Sequence, residues 1–224
     1  MTTPFQPIWQ QFHPDAVPVG HTLADNGTWN LTRFHLLPGG RDAALSRPEY
    51  RSLIERFNKV TTEVLGDGEP FWLIVPDRQA PTWAREAPDP VERARWRRFR
   101  ARYRLFWQWD FFSATDNIVY KIEAAQHTWR PLHFDRLFLD IYNEKLADII
   151  LMNARTGAVV APHVAGLFVS QPTPAELIQL ISRYYGWLPV PGQGLLRFDP
   201  AQMKDTRFEL PKSAAAALQK SLGN

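Results

Sequence analysis

The chain contains no cysteine. That absence removes disulfide bridges, thiolate zinc sites and cysteine nucleophiles at once, and fits a reducing compartment. No stretch of about 18 consecutive apolar residues occurs, so no transmembrane helix is expected. The first residues, Met1-Thr2-Thr3-Pro4-Phe5-Gln6, lack the basic-then-apolar order of a signal peptide. These features predict a cytoplasmic protein without a membrane partner. Phosphate-binding glycine patterns are missing as well: there is neither Gly-x-Gly-x-x-Gly nor Gly-x-x-x-x-Gly-Lys-Ser/Thr. Pro191-Gly192-Gln193-Gly194 has no strand and helix around it to form a cradle. No nucleotide or other cofactor is expected.

What is abundant is aromatic and basic. Nine tryptophans accompany 19 prolines in 224 residues, a composition suited to contact surfaces as well as to cores. The net charge is +3, yet seven arginines lie between Arg93 and Arg104 with no acid among them. Without those seven, 19 basic residues face 23 acidic ones, a balance of −4, so the basic character is local. At this length the chain can bury roughly 70–75% of its unfolded surface without covalent staples.

The periodicity predicts one α+β domain over residues 1–224, a mostly antiparallel sheet covered by a few capped helices, with a possible subdomain link in the proline-rich 76–90. Residues 1–28 form an irregular arm tacked down by Trp9 and Phe12. A strand over 29–37 stops at Pro38-Gly39-Gly40. Ser46-Arg47-Pro48-Glu49 is a capping box, followed by Leu53, Ile54, Phe57, Val60 and Val64 at helical spacing up to Gly66. The run 71–75, between Pro70 and Pro76, reads as a central strand with Trp72 in the core. A helix over 91–104 places Trp96, Phe99 and Tyr103 on one stripe, and strands follow over 103–113 and 117–124. Residues 137–142 and 147–152 read as a hairpin through the turn 143–145, with a further strand over 158–161. Thr173-Pro174-Ala175-Glu176 opens a capped helix that ends near Gly186. In the tail, 198–200 read as a turn and 213–222 as an alanine-rich helix.

Few residue patterns carry chemistry. His133-Phe134-Asp135 offers two metal-ligand types on one expected strand face, but such pairs are more often ordinary hydrogen-bond partners, and no metal is expected. Ser113 and Ser170 have no Gly-x-Ser-x-Gly elbow. Asp140 and Asp148 would face each other across the expected hairpin, where solvent-side pairing with lysines is the simpler role. The arginine run with its interleaved rings is what a single-strand nucleic-acid binder shows, since guanidinium groups meet phosphates while rings stack on bases. A solvated helix face paired with acids elsewhere is the preferred reading in a chain otherwise net negative, so nucleic acid is not the expected partner.

Between Trp129-Arg130-Pro131 and Gly194-Leu195, a resemblance adds to this. Val160-Ala161-Pro162-His163-Val164-Ala165-Gly166, a helix, and then Tyr184-Tyr185-Gly186-Trp187-Leu188 resemble an uncharacterised bacterial family. In that family a strand is followed by a Pro-Tyr-Asp-Gly-Gly-like turn. Here His163 and Ala165 replace the tyrosine and first glycine, and Val164 replaces the acid. Small α+β proteins of this kind, rich in tryptophan, are similar to immunity proteins encoded beside secreted bacterial toxins. The resemblance implies a cytosolic binding protein that neutralises a cognate toxin by occluding its active site. Arg95, Trp96, Arg98, Arg102, Trp129 and Trp187 are the expected partner-binding residues, with no catalytic residue. Two other classes stand beside it: a nucleic-acid-associated protein using the Arg93 to Arg104 run, and a hydrolase-like enzyme around His133, Asp135 and His163.

Overall fold

The computed structural model describes residues 5–24, 28–37, 46–79, 90–105, 107–113, 118–189 and 196–197. Its frame is one sheet in the order β3-β4-β2-β5-β6-β7-β1-β8, every neighbouring pair antiparallel. The strands are β1 (Leu31–Phe34), β2 (Pro70–Gln79), β3 (Trp107–Ser113), β4 (Ile118–Thr128), β5 (Ile150–Asn153), β6 (Val159–His163), β7 (Gly166–Ser170) and β8 (Leu196–Arg197). Among the described residues five α-helices accompany them: α1 (Phe5–Phe12), α2 (Arg47–Leu65), α3 (Pro90–Tyr103), α4 (Asp135–Tyr142) and α5 (Pro174–Arg183). The expected α+β class with an antiparallel sheet is the observed one.

Strand β2 shows why its apolar run is unbroken. A strand alternates faces, and both faces of this sheet are covered. Phe71, Leu73 and Val75 enter one core with Leu53, Phe57 and Val60 of α2, Leu137, Phe138 and Ile141 of α4, and Leu177 and Ile181 of α5. Trp72 and Ile74 enter the other, with Phe5 and Trp9 of α1, Val17, Val19 and Leu23. The strand does not stop at Pro76 but pairs with β4 as far as Gln79. Of the expected link, residues 76–79 therefore belong to the sheet, and 80–89 lie outside the described residues, as do 198–200 and 213–222.

Local signals place the helix ends. The Ser46 side chain accepts from the Glu49 amide at the start of α2, and Gly66, at φ 81°, closes it. Thr173 and Glu176 form the full reciprocal box at α5. The arm is not irregular: residues 5–12 form α1, and it is tacked down through that helix, where Trp9 is fully buried and its Nε1 donates to the Ala16 carbonyl at 2.8 Å.

Three expectations are corrected. Residues 137–142 are not a strand; they belong to α4, whose buried residues Leu137, Phe138, Ile141 and Tyr142 fall on one helical stripe. The hairpin with 147–152 therefore does not form, and Asp140 and Asp148 do not face each other on strands. Asp148 instead accepts from His21 Nδ1 at 2.6 Å. His133 and Asp135 share no strand face either, because they lie in the turn before α4 and at its first residue. Finally, residues 166–170, not anticipated as a strand, form β7 and pair with both β6 and β1.

Candidate partner-binding surface

Helix α3 carries the arginine run, and its position is fixed from two sides. Trp96, Phe99 and Tyr103 recur at three and four residues and so form one stripe, which packs on the core beside α4. Tyr103 is 7% exposed and stacks on Phe134 at 6.3 Å, Phe99 lies 4.8 Å from Tyr103, and Trp96 meets Phe99 edge-on at 5.5 Å. Burial holds the Tyr103 phenol above its ordinary pKa; Arg102 opposes the shift and Asp140 adds to it. On the other side Arg100 donates to Glu123 on β4 and to Asp77 on β2. The basic helix thus reaches the two acids through one arginine.

A third stripe remains. Arg95, Arg98 and Arg102 follow the same three-and-four spacing, are exposed, and line a groove of about 490 Å³. Its far wall is Arg136 and Asp140 of α4 with Lys145 and Leu146 of the following loop, and its floor is Trp96, Phe99 and Tyr103. Asp140 is already engaged, accepting from Arg136 Nε at 3.1 Å and lying 3.9 Å from Lys145 Nζ. Among the described residues, none of Arg95, Arg98 and Arg102 has a carboxylate within 4 Å. The groove is therefore a cationic rim over an apolar floor, of a size that fits a seated ligand or side-chain cluster.

Four of the six expected partner-binding residues meet here: Arg95, Trp96, Arg98 and Arg102. Trp129 does not. It is fully buried, with Nε1 donating to Thr62 Oγ1 at 3.0 Å and its ring stacked on Phe134, so it belongs to the core and not to a contact surface. Trp187 lies elsewhere, half-buried, stacked on Tyr184 at 4.5 Å with the Arg56 guanidinium 4.8 Å from its ring centre. Arg136, Lys145 and Leu146 were not anticipated. They come to the groove only because residues 135–142 are helical.

Asp135, Ser170 and His163, among the candidate catalytic groups, have structural uses, whereas His133 is exposed. Asp135 accepts from Asn58 Nδ2 at 2.8 Å, while Asn58 Oδ1 accepts from the Leu132 amide at 2.7 Å, so a buried asparagine ties α2 to the start of α4. Ser170 Oγ donates to the Trp29 carbonyl at 2.9 Å. His163 stacks on Phe168 at 4.7 Å, and its Nδ1 accepts from the Ala165 amide. Among the described residues no group of three His, Asp or Glu is placed to hold a metal ion, and no helix is long and apolar enough to cross a membrane. The side chain of Ser113 lies outside the described residues.

The family model described as a domain of unknown function, DUF3885, matches residues 19–190. The chain belongs to that family. The matched span runs from Val19, within the N-terminal arm, to just beyond Trp187, and includes the whole of α3, α4 and the groove between them. Comparison with curated proteins and with solved structures gives no match.

Proposed function

We propose that this member of the DUF3885 family is a protein-binding protein whose α3 face docks on a partner, and that the partner is a bacterial toxin neutralised by covering its active site. One observation carries the binding reading: Arg95, Arg98 and Arg102 stand on one exposed helical face, over an aromatic floor and opposite Arg136 and Lys145. Interface energy concentrates in arginine and aromatic side chains, and a cationic patch both steers and selects an oppositely charged partner. A folded protein rarely holds such a set at one groove for stability alone, since like charges on neighbouring turns repel. The toxin as partner follows from the resemblance between residues 129 and 195. Such a protein acts in the cytoplasm.

Co-expression tests this reading. Paired with the toxic product of the adjacent reading frame, the native chain restores growth and co-purifies with it. Growth arrest without a complex, joined to turnover of a small substrate that disappears in His133→Ala or His163→Ala, would replace the binding reading by an enzymatic one.

A further inference from the structure

Building on the partner-binding reading, we infer that the groove between α3 and α4 takes an acidic protein segment carrying an apolar anchor, and not a nucleic acid. The rim supplies the first half of that specificity. Arg95, Arg98 and Arg102 span two helical turns, about 10 Å along the axis, with guanidinium groups able to donate to carboxylates in bidentate pairs. Arg136 and Lys145 face them across the groove, and the one acid among its described lining residues, Asp140, is engaged by those two. The floor supplies the second half. Trp96 and Phe99, half-buried, offer apolar area above the buried Tyr103, and a shelf of Pro90, Val91 and Ala94 continues it past Arg95 and Arg98, with Val91 74% exposed. A helix laid between two helices, with apolar residues inward and carboxylates on its flanks, matches both halves.

The same rings argue against bases. A stacking platform needs an open ring face. Here Tyr103 is covered by Phe134 and Phe99, Phe99 lies between Trp96 and Tyr103, and the Arg100 guanidinium stands 5.8 Å from the centre of the Trp96 ring. Phosphate tracking needs cations that continue along a path, whereas outside the run the chain carries four more acids than bases.

The test is fluorescence anisotropy at physiological salt with three probes: a short labelled peptide of glutamate and leucine in helical repeat, its glutamine-for-glutamate counterpart, and oligouridylate. The native chain is expected to bind the glutamate peptide at least about ten-fold more tightly than either other probe, because Arg95, Arg98 and Arg102 have no carboxylate within 4 Å among the described residues. In R95E/R98E/R102E that preference is expected to pass to a lysine-and-leucine peptide, a gain that misfolding does not produce. Equal affinity for the glutamine peptide, tighter binding of oligouridylate, or no binding of any probe overturns the acidic-segment inference. The partner-binding reading falls separately, by failure of the co-expression complex. If that complex forms and R95E/R98E/R102E abolishes it while the glutamate peptide is ignored, the groove stands and its chemistry is wrong.

Discussion

Arg100 Nε donates to Glu123 Oε2 at 2.5 Å, and its Nη2 donates to Asp77 Oδ2 at 3.2 Å, so one side chain of α3 pairs with both β4 and β2. The Glu123 side chain is 3% exposed, in the middle of its strand, whereas that of Arg100 is 35% exposed. A carboxylate so placed depends on its partner, and the arginine depends on it far less. Position 100 therefore differs from Arg95, Arg98 and Arg102 although all four sit on the same helix.

That difference makes the first prediction. Removing the cation in Arg100→Met leaves Glu123 charged and buried, and is expected to cost about 2–4 kcal/mol, less than a fully buried pair because water reaches the arginine. The double variant R100M/E123Q should recover part of the loss. Urea melts of the two singles and the double give the coupling; additive losses would mean that the pair does not act as a unit.

Charge reversal on the exposed stripe should behave oppositely. R95E/R98E/R102E keeps the aromatic stripe and the Arg100 link, so its unfolding midpoint should match the native one within about 1 kcal/mol, since exposed charges away from buried partners change stability little. Circular dichroism melts check this. A large loss would place the three arginines in the fold's internal electrostatics and undercut their role as a docking rim.

The N-terminal segment closes one face of the sheet through Trp9, which is fully buried against Phe5 and near His13. Trp9→Ala removes that volume and the Nε1 bond to Ala16, and should cost about 3–5 kcal/mol. The N-terminal arm should then become the first site of limited proteolysis. Unchanged stability would mean that the second core is closed by other residues.

Acid should weaken the fold at two partly buried histidines, His13 beside Trp9 and His127 beside Phe71. Burial holds the His13 imidazole below its ordinary pKa, partly offset by its bond to the Gly157 carbonyl, and burial does the same at His127, against its bond to the Tyr103 carbonyl. An unfolded histidine takes a proton near 6.5 while these two, folded, resist it. The unfolded state then binds more protons, so stability is intact above about pH 6.5 and falls as pH drops below it. Denaturant midpoints at about pH 7.5 and about pH 5.5 measure the loss, and H13Q should flatten it. A midpoint that rises on acidification contradicts the sign.

Much of this fold was legible because its signals are local. Both capping motifs, the continuous run of β2 and the aromatic stripe of α3 each need only a few neighbouring residues to declare themselves. Helix α4 did not, for a physical reason: Phe134 stands at its N-cap with no side-chain hydrogen bond, and its apolar residues 137–139 and 141–142 form a short run that suits a strand equally well. A strand over 137–142 gives Asp140, Lys145 and Leu146 no reason to face α3, so that wall of the groove is not legible in the sequence. Trp129 misled differently, since Arg130 and Pro131 beside it suggest a loop surface, while its own backbone bonds to Gly68 and Glu69 turn the ring inward.

Hydrogen exchange on the co-purified complex tests the central claim most directly. Docking on the arginine face should slow exchange over residues 90–103 and 135–146 and leave the Trp9 face unchanged. Protection confined to other parts of the sheet, with 90–103 exchanging as in the free protein, would contradict it.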